Sequence, residues 1–187
     1  MDAIDLMKEE HKNIKRGLAV IRKMCISIIE TGEVAQDDFY EMIDFIRNYA
    51  DKHHHNKEES ILFKRMEEVI GDMVKAPLSG MLVEHDLGRL FTTNLEEALK
   101  RVKEGDKDSR VDVIANAVGY TDLLNRHIEK EDKAIYSFAR RALSPEILEE
   151  VNSEAGEVEK IGEGKNTQGN YMRMLDELES KWSKKGS

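Results

Sequence analysis

An all-α fold built from long amphipathic helices is predicted by three features of this chain. Charged residues make up 36% of its 187 positions. The two prolines, Pro77 and Pro145, fall between periodic segments rather than inside them, as helix breakers should. Apolar residues recur at alternating spacings of three and four over long windows, the period of a helix with one buried face. The length suits one domain that buries a core without disulfide or metal staples.

Composition narrows the partners. The formal charge of −9 comes from intermixed acids and bases, which favours solubility and disfavours nucleic acid. Cys25 is the only cysteine, so no internal disulfide forms, in keeping with a reducing compartment. No run approaches the roughly 20 apolar residues of a membrane span, and MDAIDLMKEEH lacks a basic region followed by an apolar one. A soluble cytoplasmic protein without a membrane partner is expected.

The first helix, near residues 2–31, carries Ile4, Met7, Ile14, Leu18, Ile21, Cys25 and Ile28 on one face, with His11 where that rhythm calls for a core residue. Gly32 ends it, since glycine adopts the left-handed cap at little cost. The second, near 37–70 and capped by Asp37 or Asp38, runs through Phe39, Ile43, Ile46 and Ala50 into the stretch DKHHHNKEESILF. In α-helical register His54 and Glu58 continue the apolar face, His55 and Glu59 lie on a solvated one, and His53 meets Lys57 a turn later. His53 and His55 are therefore expected to flank the inward pair. Gly71, Pro77 and Gly80 bracket the next turn. The third helix, near 78–104, then places Leu78, Met81, His85, Gly88, Thr92, Leu95, Leu99 and Val102 on one face. The fourth, near 109–143, presents Ala117, Tyr120, Leu124, His127, Glu131, Ile135 and Phe138 inward.

The chain repeats itself. Met7-x-x-Glu10-His11 returns as Met81-x-x-Glu84-His85, His54-x-x-x-Glu58 returns as His127-x-x-x-Glu131, and Leu62-Phe63 matches Ile135-Tyr136. The separations agree too, 43 residues from His11 to His54 and 42 from His85 to His127, so two helical hairpins share one pattern. Four inward histidines and two glutamates at i, i+4 put donors of each helix on one face a turn apart. Left unmetallated, such a layer would strand buried polar groups at a cost of several kcal/mol. Imidazole with carboxylate suits iron, manganese or zinc, and a carboxylate can bridge two cations.

The order H, H-x-x-x-E, H, H-x-x-x-E, carried by His11, His54 with Glu58, His85, and His127 with Glu131, resembles the hemerythrin-like (HHE cation-binding) family over residues 1–143. That resemblance implies an up-down-up-down four-helix bundle holding two Fe ions bridged by carboxylate, with Zn or Mn as substitutes. It also implies a position where oxygen, nitric oxide or peroxide binds. Two departures stand out. Oxygen-carrying members have H-x-x-x-H on the third helix, whereas Arg89 follows His85 at that spacing; a fifth histidine is missing, and Arg89 is expected at the rim, paired with an acid. They also have H-x-x-x-x-D on the fourth, which leaves Asp132 as a fallback for Glu131. With incomplete coordination and the extra volume beside Gly88, a reduced site should oxidise irreversibly or process nitric oxide or peroxide more readily than it carries oxygen. Tyr120 is either a core residue or a hydrogen-bond donor to a bound oxygen species.

Residues 144–187 form an extension. EILEEVNSEAGEVEKI is expected to be a short acidic helix, Gly162 to Gly164 a break, and NTQGNYMRMLDELESKW a last amphipathic helix, both packed on the bundle. Glu154, Glu157 and Glu159 are expected in solvent. Two classes of function follow: a sensing, carrier or storage module that binds oxygen or iron without turnover, and an enzyme-like centre acting in detoxification or iron-centre repair.

Overall fold

The computed structural model describes residues 1–164 and 167–183. Six helices account for nearly all of them, and no strand occurs among the described residues. We number these α1 (Ala3–Thr31), α2 (residues 36–70), α3 (Asp72–Lys103), α4 (residues 110–142), α5 (Pro145–Gly164) and α6 (Thr167–Ser183).

Cross-helix contacts define an up-down-up-down bundle. Along α1 and α4, Asp2 pairs with Arg140, His11 with Asp132, Arg22 with Asp122, and the Gly32 carbonyl with Arg110. Partner numbers fall on one helix as they rise on the other, so the two run antiparallel. Asn13 with Tyr49 and Glu10 with Lys57 set the same relation for α1 and α2. Arg47 with Glu96 and Arg89 with Asp51 do so for α2 and α3, and Lys130 with Glu84 and Arg101 with Asp112 for α3 and α4.

The ends follow local chemistry. Asp2 caps α1 by accepting from the Asp5 amide at 2.8 Å, and Gly32 closes it with φ of 74°, as its sequence predicts. Asp37 and Asp38 do not cap α2, whose N-cap is Ala35. Asp38 is instead buried, accepting from Trp182 Nε1 at 2.8 Å and Lys181 Nζ at 2.6 Å, so it anchors α6. The turn before α3 is also shorter than its Gly and Pro residues suggest. Gly71, at φ of 73°, turns the chain alone, and Pro77 lies inside α3. Pro77 is exposed, so the carbonyl its missing N–H leaves unpaired faces water, which removes most of the usual penalty. Gly162 and Gly164 belong to the last turns of α5, so the chain is helical where a break was anticipated.

The interior divides in two. One apolar cluster, including Ile14, Leu18, Phe45, Ala50, Leu95, Leu124 and Ile128, fills the end near Gly32. Another, including Met7, Ile61, Leu62, Leu78, Met81 and Tyr136, fills the opposite end. Every predicted histidine and glutamate falls in the gap between them. α5 and α6 cover the α1–α2 face, α5 through Asn152 on the Ala3 amide and Glu154 on Arg65, and α6 through Asp176 and Glu179 on Arg16.

Candidate metal centre

His11, His54, Glu58, His85, His127 and Glu131 all converge on this polar layer, each at most 1% exposed. Their donor atoms form two adjoining groups, His11–His54–Glu58–Glu131 and His55–Glu58–His85–His127, with donors in each lying within 4.8 Å of one another. Glu58 belongs to both. Its Oε2 lies 3.6 Å from His54 Nε2 and 3.5 Å from His85 Nε2. Glu131 spans them as well, with Oε1 3.0 Å from His127 Nε2 and Oε2 3.3 Å from His11 Nε2. Glu58 and Glu131 thus each reach donors of both groups.

The seventh donor, His55, corrects the sequence reading. On a regular α-helix it would face solvent beside Glu59, yet it is buried, its ring stacked 3.9 Å from that of His85. The reason is backbone winding. Residues Ile46–His55 and Glu58–Phe63 are π-helical, and the Asn56 amide bonds back five residues to the Asp51 carbonyl. Bonding from i to i+5 puts more residues in each turn, so His53, His54 and His55 all face inward. The same winding at Glu131–Ile135 follows His127. The imidazole missing at Arg89 is thus supplied from α2, and the shortfall expected from Arg89 disappears. Arg89 itself sits at the rim, as expected, bonding Asp51 at 2.7 Å and Glu59 at 2.7 Å.

All five histidines are held alike. Nδ1 of His11 meets Asp132 at 2.8 Å, that of His54 meets Glu10 at 2.8 Å, and that of His55 meets Asp51 at 3.3 Å. Nδ1 of His85 meets Glu59 at 2.7 Å, and that of His127 meets Glu84 at 2.9 Å. A carboxylate on Nδ1 fixes the tautomer and leaves the Nε2 lone pair pointing inward, as in metal-binding carboxylate–histidine pairs. Asp132 therefore orients His11, while Glu131 faces the interior. The repeat extends to these partners: Glu10 serves His54 as Glu84 serves His127, and Asp132 serves His11 as Glu59 serves His85. Nothing in an H-x-x-x-E pattern announces them, although Glu10 and Glu84 stand beside histidines in both repeats. Tyr136, matched to Phe63 in the first repeat, was likewise legible only as an aromatic core residue. It donates to Glu58 Oε1.

Without a cation this layer is poorly satisfied. His54 Nε2, Glu58 Oε2 and both oxygens of Glu131 are buried without a directed hydrogen bond. Glu131 Oε1 is near His127 Nε2 but lies off the hydrogen-bonding direction. His85 Nε2 and His127 Nε2 face each other at 2.9 Å, a meeting of lone pairs unless a proton or a cation lies between them. Burial and the adjacent Glu131 charge push the Glu58 carboxyl well above its ordinary range. For Glu131, the nearby His127 and His11 imidazoles outweigh burial and hold it well below. Burial opposes the charged form of His85, but the nearby Glu131 carboxylate and the bond to Glu59 win and push it up to about 10. Burial and repulsion from His11 bring His54 down to about 4. Orphaned donors, bridging acids and five inward Nε2 atoms fit a pair of divalent cations.

A third group, Glu10, His53 and Glu159, is filled by protein. The Lys57 ammonium, 1% exposed, bonds Glu10 and Glu159 and lies 3.2 Å from His53 Nε2. Glu159 therefore leaves solvent but stays outside the two donor groups. Glu154 and Glu157 pair with Arg65 and Lys160.

A cavity of about 270 Å3 reaches this layer from the surface, lined by Ile46, Asp51, His55, His85, Gly88, Arg89, Thr92 and Tyr120 among others. Gly88 does leave space there, as expected.

A four-helix bundle with a buried layer of histidines and bridging glutamates defines a cation-binding helical protein. The model of the hemerythrin HHE cation-binding domain matches residues 2–139, and the chain belongs to that family. Comparison with curated proteins and with solved structures returned no match. Among the described residues no helix is long and apolar enough to cross a membrane.

Proposed function

We propose that this chain is a non-haem di-iron protein that consumes a small oxidant, with peroxide as the leading candidate and oxygen or nitric oxide as the other ligands the centre would meet. The carboxylate-bridged donor set supports iron, and zinc or manganese would accept the same donors. When bound, the ion pair supplies two one-electron reductants. The protein's own residues do the rest. Five carboxylates hold the imidazoles in one tautomer, Tyr136 steadies Glu58, and the two apolar clusters keep bulk water from either end of the layer.

The observation that carries this reading is the cavity reaching His55 and His85. It opens to the surface beside Asp51 and the exposed Lys52, so a ligand entering there meets water. A carrier needs the reverse. The fifth imidazole from His55 favours a second reading, a reversible oxygen- or iron-binding module without turnover, because it fills a coordination position.

Purification without oxygen, metal counting and optical spectra on addition of peroxide, oxygen and nitric oxide separate the two. Peroxide consumed over many cycles with a supplied reductant supports the first. Repeated uptake and release of oxygen with no loss of iron supports the second.

A further inference from the structure

The cavity is larger than the small oxidants require. A dry cavity of about 150 Å3 accepts benzene, and 270 Å3 on that scale holds about ten non-hydrogen atoms. A diatomic or hydrogen peroxide would leave most of it to water.

Most of the residues that line it carry polar groups, and one of these is unused. Tyr120 is 2% exposed, lines the cavity, and its hydroxyl makes no hydrogen bond among the described residues. Burial, then the nearby Asp51 charge, raises Tyr120 above its usual range, so the phenol stays a donor. Thr92 and Thr93 donate to the Gly88 and Arg89 carbonyls, which leaves their oxygens as acceptors.

The charges at the mouth are largely spent. Arg47 is gripped by both oxygens of Glu96, and Arg89 by Asp51, Glu59 and Asp86. Lys52 has the amide oxygen of Asn48 as its hydrogen-bond acceptor and is exposed. An anionic ligand would meet the Asp51 carboxylate on this wall with little free positive charge inside to offset it. A neutral oxygen head group suits it better, accepting from Tyr120 and donating to Asp51. Ile46, Gly88 and the ring of Tyr120 would enclose an apolar body.

We infer that this cavity binds an alkyl or aryl hydroperoxide, or the matching alcohol, with its oxygen head at Tyr120 and Asp51 and its apolar body beside Gly88. This rests on the reading of the centre as one that meets oxidants, but concerns binding alone.

Cumyl alcohol, a neutral probe of the right size, tests it on metal-free and zinc-loaded protein, where no redox reaction intrudes. Titration calorimetry and ligand-observed NMR should show one saturable site. Tyr120→Phe keeps the ring and should weaken binding about tenfold, the loss of one hydrogen bond. At Gly88 a Cβ would meet Leu124 at 3.4 Å and Tyr120 at 3.5 Å, ordinary contacts, so Gly88→Val should fold while filling the cavity and abolishing binding. If it does not fold, Tyr120→Phe decides. No saturable binding, or binding unchanged in the folded variants, overturns the inference. Peroxide consumption by the iron-loaded protein without cumyl alcohol binding would leave the reading of the centre standing and this inference refuted. Binding without peroxide consumption would do the reverse.

Discussion

His55 lies on His85 with ring centroids 3.9 Å apart and planes within 14° of parallel, so α2 and α3 share the donor wall that one helix would otherwise supply. In the other repeat the counterpart of His55 is Ile128, a core residue. The two halves of the centre are thus unequal, with three imidazoles in one donor group and two in the other. Replacing His55 with Ile imports the counterpart residue. We expect bound metal to fall from about two ions per chain toward one, with affinity at the His85–His127 position down by at least the 10–100-fold typical of lost supporting contacts. His53→Ala should leave stoichiometry unchanged. Metal counting after gel filtration checks both, and two tightly held ions in His55→Ile would refute the three-imidazole position.

The bundle was legible because apolar positions repeat at helical spacing, and the ends of α1, α2 and α4 fall within a residue or two of the sequence expectation. His11, His54, Glu58, His85, His127 and Glu131 were legible for the same reason: each stands where the pattern needs a core residue. His55 was not, since α-helical phase puts it outside and only π winding brings it in. The supporting acids were hidden too, because Glu59 or Asp132 on a charged surface helix looks solvated until the facing helix is known. Pro77 misled in the other direction. Proline signals a boundary, but an exposed carbonyl lets α3 run through it.

Burial and Glu131 push Glu58 well above its usual range in the metal-free protein, which favours its protonated form. Gln at this position imitates the protonated form. Glu58→Gln should therefore leave metal-free stability unchanged or slightly higher, while removing one bridge and most of the gain in melting temperature on metal loading, since metal-binding energy is folding energy here. Calorimetric melting with and without iron or zinc measures both. A variant that melts like the native protein when loaded would show that Glu58 does not bridge.

Metal uptake should release protons. Glu58 is raised, His85 is pushed up to about 10, and the neighbouring carboxylates of Asp132 and Glu131 raise His11 despite burial. Each shift favours the protonated form, so a cation must compete with protons there, and lowering the pH strengthens the competitor and weakens metal binding. Titration calorimetry with zinc, repeated in buffers of different ionisation enthalpy, should show net proton release, and affinity should rise with pH through the neutral range. Zinc binding with no proton release would overturn this account of the metal-free site.

The C-terminal extension reaches the centre through one chain of contacts. Glu159 of α5 bonds Lys57, Lys57 bonds Glu10, and Glu10 holds Nδ1 of His54 at 2.8 Å. Gln168 of α6 adds bonds to Glu159 and, at 3.1 Å, to His53 Nε2. Gly162 packs close, where an added Cβ would meet His53 Cε1 at 3.3 Å. Lys57 needs both acids, because a buried ammonium that loses a partner costs about 3–5 kcal/mol. Lys57→Met removes the cation and leaves Glu10 and Glu159 facing each other, so it should destabilise by a similar amount. The double change Lys57→Met with Glu159→Gln removes both charges of that pair and should recover a large part of the loss. Denaturant unfolding of the metal-free proteins measures each term. Recovery should extend to metal affinity, since Glu10 keeps its bond to His54. If the double variant is as unstable as the two single losses added together, Lys57 and Glu159 do not act as a coupled pair, and the extension is merely packed on the bundle.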